Sequence, residues 1–177
     1  MTLWTVGHSS RSADEFLGLL QAHRIELIAD VRRFPASRRH PHFAREQLEP
    51  LLDSHGCRYV WQPALGGRRS PRKDSPNTSW RVAAFRGYAD YMETPEFADA
   101  FSKLLALAQA KRTAVMCAEA LWWQCHRRLI ADAAMALGDD VLHIQSGEVA
   151  APHKLIPPAS IRGGRLSYAA VQPDLGL

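Results

Sequence analysis

The chain has 177 residues, 46% hydrophobic and 23% charged, a balance that suits one globular domain with its own core and excludes collagen-like and low-complexity classes. No window approaches ~18 consecutive apolar residues, so no membrane-spanning helix is expected, and the run from Met1 to Gly7 lacks the charged, apolar and small-residue order of a signal peptide. The net charge of +4 is unevenly spread: between Val31 and Lys73, ten Arg or Lys stand against three Asp or Glu. Such a segment favours phosphates, carboxylates or nucleic acid, or forms a solvated cationic face.

Leu3 to Gly7 reads as a first strand. Ser12-Ala13-Asp14-Glu15 fits a capping box that opens a helix, and Phe16, Leu19 and Leu20 follow at helical spacing. Glu26 to Val31 is a second, buried strand. Arg33 to Phe43 is a loop, Arg45 to His55 a helix closed by Gly56, and Cys57 to Gln62 a third strand. Pro63 to Ser79 is rich in Gly, Pro, Ser and Arg and is expected to be a mobile lid or binding arm. A helix from Trp80 to Met92 and another capped by Thr94-Pro95 come next. Thr113 to Cys117 is a fourth strand, Gln124 to Leu137 a helix, and Val141 to Ile144 a fifth strand.

Alternation of strands and helices predicts an α/β, three-layer, single-domain sandwich with a mostly parallel central sheet of about five strands. The domain is placed at residues 1–148. Residues 149–177 form a Pro/Gly-rich tail, expected to be largely irregular and to pack on the domain or extend from it. In such sheets ligands bind outside the carboxyl ends of the strands, so the polar residues there are the site candidates.

Four clusters meet that condition. Gly7-His8-Ser9 combines a tight turn with an imidazole that titrates near neutrality. Asp30 and Arg32 share one side of a strand, and either pair with each other or meet a ligand together. Gly66-Gly67-Arg68 is a cationic turn without P-loop spacing. Cys117-Ala118-Glu119 and Cys125-His126-Arg127 bring thiols, a carboxylate, an imidazole and a guanidinium to a strand end and a helix start, where a helix dipole favours thiolates and anions. Within this last cluster Glu119 ranks first as a reactive group and Cys125 second. A metal shared by Cys117, Cys125 and His126 ranks third, because adjacent Cys125 and His126 would diverge by ~100° on a helix. Buried thiols also act mostly as small hydrophobes.

Taken together these clusters, with Pro35, Ser37 and the Phe85-Arg86-Gly87-Tyr88 and Tyr91-Met92 segments, resemble the family of domain of unknown function DUF488 from about Leu3 to Ile144. The resemblance implies a compact α/β fold with these residues in one site; it implies no reaction.

The resulting expectation is an enzyme of hydrolase type acting on a small anionic, phosphorylated or nucleotide-like substrate. Glu119, Asp30 and His8 are its catalytic candidates. Gly7, Ser9, Arg32, Gly66, Gly67, Arg68, Arg127, Cys117, Cys125 and His126 would bind the substrate or its anionic group. No metal or other cofactor is expected. The alternatives are a non-catalytic nucleic-acid-binding module using residues 31–73, and a thiol or metal site at Cys117, Cys125 and His126. Three cysteines, an odd number, suit a reduced, cytoplasmic protein. The oligomeric state is not legible.

Overall fold

The computed structural model describes residues 1–169. Its centre is a six-stranded sheet built from β1 (Thr2–Gly7), β2 (Leu27–Asp30), β3 (Arg58–Trp61), β4 (Thr113–Cys117), β5 (Asp140–Ile144) and β6 (Ala150–Pro152). The spatial order is β3-β2-β4-β1-β5-β6. All pairings are parallel except that of β5 with β6. Among the described residues five α-helices cover the sheet: α1 (Ala13–Ala22), α2 (Arg45–Ser54), α3 (Ala83–Met92), α4 (Pro95–Ala110) and α5 (Arg127–Ala136). None of the described helices is long and apolar enough to cross a membrane.

Alternation along the strands sorts the core into two layers. Val6 and Ile28 pack with Phe16, Phe43, Leu48 and Leu52 on the side of α1 and α2. Leu27, Ala29 and Val115 pack with Tyr88, Leu104, Leu129 and Ile130 on the side of α3, α4 and α5. Ser12 caps α1 through the reciprocal pairing with Glu15 that the sequence foretells.

This division locates the crevice. The chain leaves β1 and β2 toward one face and leaves β4 toward the other. Because β4 lies between β2 and β1, the loops at its carboxyl end separate on both sides, the condition for a ligand crevice in an open α/β sheet.

Two regions differ from expectation. The tail is more ordered than its composition suggests: it supplies β6 and a two-stranded hairpin, β7 (Ser160–Arg162) and β8 (Arg165–Ser167). Pro152 is tolerated because β6 is an edge strand. Residues 170–177 lie outside the described residues. The 63–79 segment has no regular strand or α-helix, yet it is tied down. The Asp90 carboxylate on α3 accepts hydrogen bonds from the Arg72 backbone N–H, the Ser75 hydroxyl and the Asn77 side-chain amide. The Arg69 guanidinium lies 3.6 Å from the Tyr91 ring centroid. A Cβ on Gly87 would come within 2.2 Å of the Arg69 carbonyl oxygen, so the loop packs directly on the helix backbone.

Candidate functional site

The loops after β1, β2 and β4 are joined by backbone hydrogen bonds: His8 N–H donates to Cys117 O (3.0 Å), Ser9 N–H to Ala118 O (2.9 Å) and Val31 N–H to Met116 O (3.0 Å). Close approach here demands glycine. A Cβ on Gly7 would stand 1.9 Å from the Glu119 carbonyl oxygen and 2.9 Å from Ala120 Cα, both backbone atoms. Gly7→Ala is therefore expected to lower unfolding stability by at least about 2 kcal/mol, measured by urea titration. A variant as stable as its parent would mean that the loop after β4 is free to move.

Above these loops lies a cavity of about 480 Å³. It is lined by His8, Arg32, Gly67, Arg68, Cys117, Glu119, Cys125 and His126 among the residues the sequence singled out. Arg33, Phe34, Ser37, Phe85 and Gln124 also line it. Phe85 and Ser37 stood in the family-like segments; nothing local to the sequence distinguished the other three. Gly7, Asp30, Gly66 and Arg127 are buried and, like the half-buried Ser9, do not line the cavity.

Asp30 is completely buried and fully engaged. Oδ1 accepts from the Arg32 backbone N–H (3.0 Å) and Nε (2.9 Å); Oδ2 accepts from Arg32 Nη2 (2.6 Å) and from the Tyr59 hydroxyl (2.6 Å). Arg32 Nη1 donates to Phe43 O (2.9 Å) and to His8 Nε2 (3.2 Å). Since a guanidinium only donates, the His8 proton is on Nδ1, where it meets Ser9 O at 2.9 Å. Burial, reinforced by Arg32, pushes the His8 imidazolium pKa down to about 4. In this arrangement Asp30 and His8 retain no uncommitted lone pair or proton. Their evident work is to aim Arg32.

Glu119 is exposed on the cavity lip, and its carboxylate has no hydrogen bond among the described residues. Arg68 is exposed too, with φ +62°, and its carbonyl accepts from Arg33 Nη1 at 3.4 Å. Gly67 lets the same loop press on the imidazole, for a Cβ there would lie 2.8 Å from His126 Nδ1.

The thiols lie deepest. α5 begins later than periodicity indicates: Trp122–Gln124 is a 3-10 turn, Cys125 is extended (φ −128°, ψ 152°), and His126 is the N-cap. The extended residue removes the helical stagger, so the two neighbouring side chains converge. His126 Nδ1 is 3.6 Å from Cys125 Sγ and 4.0 Å from Cys117 Sγ, and the three donor atoms lie within 4.8 Å of one another. Contrary to the expected ~100° divergence on a helix, Cys125 and His126 thus converge, and the three could share an ion. Without one, they share protons. The Cys117 thiol holds the Cys125 thiol well below its usual pKa, with His126 and Arg127 acting in the same direction against burial. Cys117 is raised in turn, by Cys125 and by burial. Cys57, buried elsewhere, is pushed up to about 12 by burial.

Arg127 is 1% exposed and still charged, because a guanidinium does not deprotonate in proteins. Its Nη2 donates to the carbonyls of Glu119 and Ala120 and its Nη1 to Thr5 Oγ1 (3.5 Å). No carboxylate is among its partners within the described residues. A buried cation is costly without a counter-charge, and the Arg127 charge acts to lower the pKa of the Cys125 thiol.

Residues 12–134 match the family described as domain of unknown function DUF488. No curated protein and no solved structure matches the chain.

Proposed function

Because the chain belongs to the DUF488 family, a domain of unknown function, its activity must be read from its own site, and we propose that it is a thiol enzyme of hydrolase type acting on a small anionic, phosphorylated or nucleotide-like substrate. The observation that carries this reading is the convergence of Cys117 Sγ, Cys125 Sγ and His126 Nδ1 on the cavity wall, all within 4.8 Å of one another, where Cys117, His126 and Arg127 act to hold the Cys125 thiol below its usual pKa. Arg33 and Arg68 on the lip would hold the anionic group, and Phe34, 67% exposed, offers a face to a base or other ring. The Cys125 sulfur attacks the electrophilic centre, and the leaving group departs with the bonding electrons. Water, giving its proton to the free Glu119 carboxylate, then cleaves the sulfur-bound intermediate and regenerates the thiolate. Asp30 and His8 act only through Arg32. The same basic, aromatic lip suits single-stranded nucleic acid, for which binding would fall steeply with salt.

Alkylation tests the proposal. At pH 7, Cys125 is expected to react first and Cys57 not at all. Anionic iodoacetate should react at least as fast as neutral iodoacetamide, because the cationic lip attracts it. Cys125→Ser should abolish the fast label, read by peptide mass spectrometry. Stoichiometric metal in the purified protein, lost in Cys125→Ser, would replace the thiol reading by a metal centre at Cys117, Cys125 and His126. Slow, unselective labelling of metal-free protein would remove the thiol reading altogether.

A further inference from the structure

A line of buried polar side chains runs under the sheet's carboxyl edge and ends at Arg127. Thr5 Oγ1 is 2.7 Å from His143 Nδ1, His143 Nε2 is 2.9 Å from His153 Nδ1, and His153 Nε2 is 2.8 Å from Asp132 Oδ1. The Tyr168 hydroxyl donates to the other Asp132 oxygen (2.9 Å). All five side chains are buried, and the proposed chemistry uses none of them.

The two ends fix the direction of every hydrogen. Arg127 only donates and the Asp132 carboxylate only accepts. Arg127 Nη1 therefore donates to Thr5, the Thr5 hydroxyl to His143 Nδ1, His143 Nε2–H to His153 Nδ1, and His153 Nε2–H to Asp132. Both imidazoles carry a single proton, on Nε2. The opposite direction would bring two donors to Thr5 Oγ1 and leave its own hydrogen without a partner. Trp122 closes the line from above: its ring stacks on His143 at 4.2 Å and 5°, and its carbonyl accepts from the Cys125 N–H (3.2 Å). The line thus reaches Cys125 through the backbone of the 3-10 turn, and through the guanidinium it reaches the loop that follows Cys117.

We infer that Thr5 and His143 are positioning residues for the thiol site, the working end of a buried hydrogen-bonded line, anchored on Asp132, that holds the Arg127 guanidinium against the Glu119 and Ala120 carbonyls of the loop after Cys117. Of the Arg127 nitrogens, Nη1 has Thr5 as its one partner among the described residues. Losing that acceptor loosens the guanidinium and its hold on the Glu119 and Ala120 carbonyls beside the thiol site. Asp132 serves as the remote counter-charge, polarising each hydroxyl and imidazole in between.

The inference rests on the thiol reading for its consequence, and its own geometry is testable without it. Nitrogen-15 NMR of the wild-type rings should show His143 and His153 both as Nε2–H tautomers. A proton on Nδ1 of either ring would overturn the inference whatever Cys125 does. Thr5→Val, nearly isosteric but unable to accept, should lower the Cys125 thiolate absorbance at neutral pH and slow iodoacetamide labelling roughly tenfold, equivalent to about one pKa unit. Thr5→Ser, which keeps the hydroxyl, should restore both. A folded Thr5→Val protein with wild-type thiolate absorbance and labelling rate would overturn the positioning role. An unreactive wild-type Cys125 with the expected tautomers would instead count against the thiol enzyme alone.

Discussion

Replacing Asp30 by alanine is expected to lower unfolding stability by about 3–5 kcal/mol, the range for breaking a buried ion pair by removing one partner. The carboxylate takes four strong donor contacts from two side chains and one backbone group. Its removal strands the 6% exposed Arg32 cation and the Tyr59 hydroxyl in the interior. Arg32 would then turn toward solvent and release His8 and the Phe43 carbonyl, so the wall of the cavity should fail with the fold. Urea titration measures the effect. A loss under about 1 kcal/mol would show that water reaches Arg32 and that the pair is no more than a surface bridge.

Acid is expected to produce a loss of similar size through two histidines. Burial lowers the imidazolium pKa from its ordinary value of 6.5 to about 4 for His8 and to about 2 for His143. Desolvation is the largest cause in each case, joined by Arg32 for the first and by His153 and Arg127 for the second. Below about pH 6.5 the unfolded chain binds a proton at each site that the folded protein refuses. Stability therefore falls as pH drops through the window from about 6.5 to about 4 for His8, and on toward about 2 for His143. With 1.36 kcal/mol per pKa unit, going from pH 7 to pH 5 costs roughly 2 kcal/mol for each histidine. Urea titrations at the two pH values, repeated on His143→Gln, provide the check: the variant should show about half the acid loss. Equal stability at both pH values would mean that the imidazoles accept protons without leaving their partners.

The first five strands were legible because each is a short apolar run bounded by turn residues, whereas the three strands of the tail are too short and too rich in polar and turn residues to show one. The long helices were legible from their spacing and caps, with Ser12 and Thr94 placed as expected. The clustering of His8, Arg32, Cys117, Glu119, Cys125 and His126 followed from strand-end position alone. Their internal roles did not, because these depend on partners remote in sequence. Tyr59 commits the second oxygen of Asp30 from 29 residues away, and no local pattern announces that a strand tyrosine faces a carboxylate on the neighbouring strand. The helix expected from Gln124 begins at Arg127 because Gln124 and Cys125 have acceptable helical composition, while a 3-10 turn and one extended residue set the thiol geometry. The 63–79 loop looked free because its anchor, Asp90, belongs to a helix it meets only in the fold. Asp132, His143, His153 and Tyr168 passed unnoticed for the same reason. Each looks like an ordinary helix, strand or tail residue until the tail folds back.

That return of the tail sets the limits of an independently folding fragment. Asp132 lies inside the stretch that matches the family, residues 12–134, but its partners His153 and Tyr168 lie beyond it. Arg128 likewise depends on the carbonyls of Ile156 and Pro157. At the other end, β1 precedes residue 12 and sits between β4 and β5 in the sheet. A fragment trimmed to the matched stretch would lose an interior strand and leave an anion and a cation facing a lipid-like interior with nothing to neutralise them. A unit that can be moved, fused or expressed intact therefore includes at least β1 through Tyr168, and the hairpin near Tyr168 belongs to the architecture of the core.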